Sequence, residues 1–512
     1  MSDDRFHTRV ELNVGLGRET ASGSPRPDTP FRIVLLGDFS GRASRGVAET
    51  GEALASRRPV FVDRDNFDEV LAQMAPELEI DVAAGDMTRI RVRFGELEDF
   101  HPDRLYERLP LFRSLADAPP GPAMLNPATE HRRSEPPRGA PELEGGGGSS
   151  TRGLLEQIVE ESSAVSQLTP SGDDLHAFIQ RAMAPHLVPN PDPQQMERRA
   201  RVAATAGLWM RRILHHPDFQ ALEALWRAAF FLVRRVETDA RLQLYLVDLS
   251  KAELAADLSS DRRIDATGVY ALLTRGAVGP FGSGPWSLLT GNYTLGDAPE
   301  DVSLLSRLAA VARSAGAPLI SAAAPRLAGF ARFDQTPDLA DWSTPGDPEW
   351  NAFRRTREAR FIGLALPRFL LRLPYGKQTE PCERFEFEEV GEVGDVPAHE
   401  DYLWGNPAVA CALLLAQAFE SSGWRLRPTR LEIEDLPLHL VRSNGGMAAK
   451  PCAEALLPER VAERILECGI MPLASMKDRD AVRLVRFQSV ANPLAPLAGR
   501  WRTVDDVANL RE

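Results

Sequence analysis

The stretch Phe219–Leu258 leaves this chain few architectures to choose from. Leu222, Leu225, Trp226, Ala229, Phe230 and Val233 recur at steps of three and four, so they share one broad helical face. After the break at Glu237-Thr238-Asp239-Ala240, the run holding Leu242, Leu244, Tyr245, Leu246, Val247 and Leu249 is too apolar for a half-exposed strand. It fits a central strand, covered on both faces. Ser250 then stands at a helix N-cap with Glu253 three residues on, a spacing that lets each side chain accept from the other's backbone N–H. The unit is helix, central strand, helix.

Other segments repeat that alternation. Val10, Leu12, Val14 and Leu16 alternate with polar or small residues as in a half-buried strand, and Phe31–Leu36 is a second unbroken apolar run. Asp38 follows that strand; without a glycine fingerprint or partner acids, it reads as a loop cap. A helix is expected around Phe67, Val70, Leu71 and Met74, stopped by Pro76, and a strand pair at 78–82 and 90–94. Pro102 opens a helix with Leu105, Leu109, Phe112 and Leu115 inward. Beyond residue 153 come a helix at 194–214, a strand at 286–290 leading into Gly291-Asn292-Tyr293, a helix at 302–308, strands at 318–323 and 361–366, and a long apolar helix at 408–419. Strands alternating with helices define an α/β class, with α+β mixing at the smaller N-terminal part.

The chain's 512 residues exceed the roughly 250–300 at which one core stops growing, so at least two domains are expected. Residues 119–152 hold seven prolines and six glycines and almost nothing to pack, which marks a flexible linker with a reach of about 30 Å. The boundaries are therefore 1–118, 119–152 and 153–512. Just past the linker, Leu154, Leu155, Ile158, Val159 and Val165 make a short amphipathic helix, which on its own residues reads as packing on its own domain.

Several function classes fall away. A formal charge of -13 argues against a nucleic-acid binder, because counterion release needs a concentrated basic surface. Arg57-Arg58 and Arg211-Arg212 are short clusters, read as solvated faces or partner contacts ahead of phosphate sites, and Arg354, Arg355, Arg357 and Arg360 as salt-bridging within an assembly ahead of an anion site. Cys382, Cys411, Cys452 and Cys468 contain no C-x-x-C pair, as suits free thiols in a reducing compartment. The N-terminus lacks a signal-peptide core, and no segment approaches the roughly 20 apolar residues that span a bilayer. A cytoplasmic protein without membrane insertion is expected. Catalytic patterns are missing: His215-His216 sits at a helix end before Pro217, His399-Glu400-Asp401 has no second histidine four residues on, and Gly282-Ser283-Gly284 is too tight for a nucleophile elbow. Neither an enzyme nor a cofactor or metal site is expected.

Three sets of residues carry a family resemblance. Leu222-Glu223-Ala224-Leu225-Trp226-Arg227 with Asp248-Leu249-Ser250-Lys251-Ala252-Glu253-Leu254 resembles the large subunit of the contractile sheath of bacterial type VI secretion systems. Gly291-Asn292-Tyr293, Leu370–Gly376, Tyr402-Leu403-Trp404-Gly405-Asn406 and Glu434–His439 follow in that family's order. Gly37–Ser40, Val62–Val70 and Leu97–Pro102 resemble the small subunit of the same sheath. Small and large subunits are usually separate chains in this family, and here they stand in tandem.

The resemblance implies a joined α/β protomer that assembles helically around an inner tube and contracts to propel it. Its partners would be further copies or other sheath subunits, the inner tube protein, baseplate components and a ClpV-type disassembly ATPase. It makes the helix with Leu154, Leu155, Ile158 and Val159 an exposed handle for that ATPase. It gives Trp226, Arg227, Asn292, Tyr293, Tyr402, Trp404 and Asn406 structural roles. The family's large subunit continues beyond the point matching Phe487-Gln488-Ser489, so a shortened protomer is one expectation. A sheath-derived capping, templating or regulatory protein that does not polymerise is the alternative.

Overall fold

The computed structural model describes residues 25–501 except 85–86, 118–192, 260, 280–281, 334–337, 344–346, 391–397, 427 and 444–445. The strand expected at Val10–Leu16, the linker 119–152 and the helix with Leu154, Leu155, Ile158 and Val159 lie outside the described residues. Met1–Arg113 and Thr205–Glu512 make one compact unit, and Ser114–Ala204 a second. The described part of the second unit is helical: the end of the helix Pro110–Asp117 and the start of Pro193–Leu214.

The strands, in chain order, are β1 (Phe31–Gly37), β2 (Val60–Val62), β3 (Glu77–Ala84), β4 (Met87–Arg93), β5 (Leu242–Asp248), β6 (Ala277–Gly279), β7 (Gly282–Gly284), β8 (Leu288–Leu295), β9 (Leu319–Ala323), β10 (Ile362–Leu366), β11 (Phe369–Leu370), β12 (Trp404–Gly405), β13 (Glu432–Ile433), β14 (Leu440–Ser443), β15 (Gly446–Ala449), β16 (Ile470–Ser475) and β17 (Val482–Leu484). Nine of them form one sheet in the order β13-β17-β16-β10-β9-β8-β1-β5-β2. The six from β16 to β5 run parallel, and β2, β17 and β13 close the edges antiparallel.

Both apolar runs read as central strands are interior: β1 is buried along its whole length and β5 over its first six residues. β1 pairs with β5 from Phe31↔Leu242 to Gly37↔Asp248 and with β8 from Ile33↔Leu288 to Leu36↔Gly291. The small-subunit-like residues therefore supply an inner strand to a sheet built mostly from residues beyond 240. The helix Pro217–Arg235 covers one face, and the paired Ser250–Glu253 cap begins the helix Lys251–Asp257 as expected. Ser250→Ala should cost about 1 kcal/mol, seen as a lower urea midpoint at unchanged slope. The apolar helix Pro407–Ser422 is buried from Pro407 to Ala416.

Two local expectations change. The helix opened by Pro102 stops at Arg108 and a second begins at Pro110, with Leu109 extended (φ -80°, ψ 126°). The Pro110 ring clashes with an α-conformation at the preceding residue. Gly291-Asn292-Tyr293 lies inside β8, at a register shift against β9 between Thr290 and Thr294. That bulge is held because Ser321 Oγ lies 3.0 Å from the Gly291 carbonyl and 2.7 Å from that of Tyr293.

A close backbone approach ties the two parts again. A Cβ at Gly268, in the first turn of the helix Gly268–Thr274, would stand 2.1 Å from the Gly51 carbonyl oxygen and 2.8 Å from Leu54 Cβ. Gly268→Ala should therefore destabilise by about 1–3 kcal/mol through backbone displacement, measurable by thermal unfolding.

Candidate functional site

Along the chain the parallel strands come in the order β1, β5, β8, β9, β10, β16, whereas in space β5 and β8 flank β1. The order reverses between β1 and β8, and open α/β sheets of this kind bind ligands outside the carboxyl ends of the strands at that point. Here residues 38–57 lie against the carboxyl end of β5 and the helix that follows it. Asp38 accepts from the backbone N–H of Arg42 (2.7 Å) and Ala43 (2.8 Å), the loop-capping role expected of it. Burial raises its pKa, against those two bonds, with Asp248 and Glu253 adding to the rise. Asp248, ending β5, accepts from the Ser40 N–H (3.0 Å) and hydroxyl (2.7 Å) and pairs with Arg42.

Arg57 closes this cluster. Its guanidinium donates to both oxygens of the buried Glu253 (3.0 and 2.6 Å), to Glu49 (2.7 Å) and to the Asp248 carbonyl (2.5 Å). Burial raises the Glu253 pKa, but hydrogen bonds from Arg57, Ser250 and Glu49 outweigh that and leave it lowered. The reading of Arg57-Arg58 as a solvated or partner-facing cluster is thus corrected for Arg57, whose desolvation the two carboxylates offset. Arg354 is corrected likewise: it is buried and donates to the Val490 carbonyl at 2.8 Å.

A second buried network surrounds Arg372. Its guanidinium bridges Glu223 (2.8 and 3.2 Å) and Glu389 (2.7 and 3.0 Å), all three essentially without solvent contact. Arg227 joins through Glu223 (2.7 Å) and the Tyr375 hydroxyl (2.9 Å), and the Tyr375 N–H donates to Glu389 at 2.8 Å. His215 lies 3.7 Å from Glu389 and 3.4 Å from Asp401, while His216 caps the next helix by accepting from the Asp218 N–H.

The other sequence-predicted residues serve packing. Trp226, fully buried, donates from Nε1 to the Phe39 carbonyl at 3.0 Å and meets the Phe39 and Phe67 rings edge-on. Tyr293 is buried with its hydroxyl on the Leu249 carbonyl (2.6 Å); its own carbonyl accepts from Asn406 Nδ2 (3.1 Å), and Asn406 Oδ1 caps the helix Pro407–Ser422. Asn292 is half-buried beside it on β8. Tyr402 bonds His439 (2.9 Å), Trp404 donates to the His399 carbonyl (2.8 Å), and the two rings lie 5.7 Å apart. Residues 154–159 lie outside the described residues, so their place relative to these clusters is not part of this geometry.

A cleft of about 220 Å³ also opens beyond the carboxyl ends of β8, β9 and β10. Its charged groups pair with each other: Arg368 with Glu454 (2.6 Å) and Glu400 (3.2 Å), Arg332 with Glu400 (3.3 Å), and His399 with Glu454 (3.0 Å). Among the described residues no group of three or more His, Cys, Asp or Glu is placed to hold a metal ion. Nor is any described helix long and apolar enough to cross a membrane.

Residues 200–491 match the family described as EvpB/VC_A0108, tail sheath N-terminal domain, over more than half of the chain. The chain belongs to the type VI secretion sheath family. Residues 7–120 match the family described as Type VI secretion system, VipA, VC_A0107 or Hcp2, so one chain carries both sheath-subunit types. The type VI secretion system sheath protein TssC1 of Pseudomonas aeruginosa is 34% identical over 292 residues, covering 55% of this chain and 58% of the relative. The chain thus spans less than two thirds of that sheath protein's length.

The geometry suits a sheath family. β1 and Phe39 lie in the VipA-like region, while β5, β8 and Trp226 lie in the VipB-like one. Glu223, Arg372 and Glu389 were missed as a set because 149 residues separate Glu223 from Arg372. The one available hint was a glutamate amid the apolar face of the helix Pro217–Arg235.

Proposed function

We propose that this chain is a fused structural protomer of a type VI contractile sheath, assembling helically around an inner tube and contracting to propel it. The observation that carries this reading is β1: the VipA-like part pairs on both sides inside the VipB-like sheet, so the two subunit types move as one body. A protomer that transmits force needs a joint of this kind, because the work comes from switching between discrete packed arrangements, with no bond chemistry. Head-to-tail contacts that do not close would build the tube. The inner tube protein, baseplate components and a disassembly ATPase are its proposed partners, the last through Leu154, Leu155, Ile158 and Val159. The cytoplasm is the proposed location.

The test is negative-stain electron microscopy of the purified chain, alone and with tube protein. Long hollow helical cylinders are the expected result; discrete particles that never elongate under either condition would overturn it. A second expectation concerns the joint. A protease site placed at Gly145–Gly148 and cut should leave two fragments that co-elute, since β1 stays paired to β5 and β8.

A further inference from the structure

Among the described residues the hairpin β3–β4 stands apart from the nine-stranded sheet and pairs only within itself. Leu78, Ile80, Val82, Ile90 and Val92 are buried on its inner face. Its outer face is a ladder in which Glu77 stands opposite Arg93, Glu79 opposite Arg91, and Asp81 opposite Arg89. The main sheet ends in strands of only three and two residues, β2 and β13, whereas β4 has seven.

The register fixes which backbone groups of β4 are free. Phe94 N–H donates to the Pro76 carbonyl, so Phe94, and with it Val92 and Ile90, are the positions bonded to β3. The N–H and C=O of Arg89, Arg91 and Arg93 then point away from β3. Two contacts agree: the Glu77 N–H turns outward on β3 to the Ser40 carbonyl, and the Arg93 carbonyl accepts from Arg108 at 3.0 Å. Ser40 thereby covers the start of the β3 edge. The β4 edge opens on a groove of about 320 Å³, walled by Leu105, Leu109 and Pro110 and rimmed by Arg91, Arg93 and Arg108.

The charges on that rim face outward unequally. Arg91 and Arg93 have 57% and 70% of their side chains exposed, while their partners Glu77 and Glu79 have 14% and 23%. Guanidinium heads thus present themselves to solvent, with the carboxylates tucked beneath. Charged side chains on an edge strand discourage indiscriminate pairing. The same charges would admit a strand whose outer-face residues are acidic, with alternate apolar residues meeting the Leu105–Leu109 wall.

We propose that the free edge of β4 is a docking site for an extended acidic segment of a partner protein, carrying carboxylates at every second position and adding as a third strand to the hairpin. Backbone hydrogen bonds to Arg91 hold it, and Arg91, Arg93 and Arg108 select its charge.

The probe is a fluorescein-labelled peptide, Thr-Glu-Val-Glu-Val-Glu-Thr, titrated with the full chain in fluorescence anisotropy; its counterpart has glutamine at each glutamate. The acidic peptide should bind at least tenfold tighter than the glutamine peptide, and more weakly as salt rises. Arg91→Gln should weaken binding a few-fold. Arg91→Pro should abolish it, because it also removes an outward N–H that the β3 ladder does not use. Arg89→Pro gives the same comparison if Arg91→Pro does not fold. Equal binding of the two peptides, no saturable signal, or equal loss in the glutamine and proline variants would overturn the proposal. So would a peptide that fails to bind while Arg91→Pro abolishes self-association in sedimentation velocity, since the occupant would then be a second copy.

Discussion

Glu389→Gln is expected to destabilise the fold by about 3–5 kcal/mol, the cost of leaving a buried cation half-paired. Arg372 sits between Glu223 and Glu389 away from bulk solvent, its guanidinium 4.2 Å from the centre of the Tyr375 ring. Arg372→Met should cost as much, because it leaves the buried Glu389 without its cation and Glu223 with Arg227 alone. Replacing Arg372 and Glu389 together by apolar residues of similar volume should cost less than either single change, since Glu223 keeps Arg227 and no buried charge is left unpaired. Urea unfolding of the four proteins, compared at one pH, decides it: a double variant less stable than both single variants would remove desolvation as the cause.

The same carboxylate sets a pH dependence. Burial pushes the Glu389 pKa up, but the charge of Arg372, hydrogen bonds from Arg372 and the Tyr375 N–H, and His215 at 3.7 Å more than compensate, holding it at about 2. A carboxylate whose folded pKa is depressed binds its proton more readily unfolded. Its contribution is therefore complete above the unfolded value, near 4.5, and is lost as pH falls towards 2. The size is about 3 kcal/mol. The stability gap between the parent chain and Glu389→Gln should accordingly stay level above pH 5 and narrow on acidification to pH 2. A gap that is flat throughout would place the effect in packing.

What the sequence made legible follows from how far apart the interacting residues are. The helix around Trp226, the strand at 242–248 and the Ser250–Glu253 cap involve neighbours within four residues or one strand, and each formed where the pattern put it. The interior place of β1 was only half visible: the run Phe31–Leu36 marked a strand covered on both faces, but nothing local said that its neighbours begin at Leu242 and Leu288. Arg57 shows the limit most clearly. An arginine pair such as Arg57-Arg58 looks solvent-facing, and only the fold brings Glu253, 196 residues away, to the side of Arg57. The strand expected at 286–290 runs on through Gly291-Asn292-Tyr293, where Ser321 and Asn406, both distant in sequence, hold a bulge inside β8.

Trp226→Ala should be the most damaging single change at the joint between the two subunit-like parts. The side chain is fully buried, so truncation leaves a large cavity, costing about 3–5 kcal/mol. It also strips the Phe39 carbonyl of its donor and Phe39 and Phe67 of their edge-on partner. All three lost contacts run from the VipB-like part to the VipA-like part, so the loss should appear as weakened association as well as lower stability. In a chain cut at the engineered Gly145–Gly148 site, the parent fragments should co-elute in size exclusion, whereas the Trp226→Ala fragments should separate on dilution. Trp226→Phe keeps most of the ring volume but no N–H, and its cost of about 1–3 kcal/mol would isolate the unmet Phe39 carbonyl from the cavity. If the Trp226→Ala fragments stayed together as tightly as the parent's, the pairing of β1 and β2 with the sheet and the Arg57–Glu253 and Ser40–Asp248 contacts would be holding the halves, and the helix Pro217–Arg235 would be a cover for the sheet with no part in joining them.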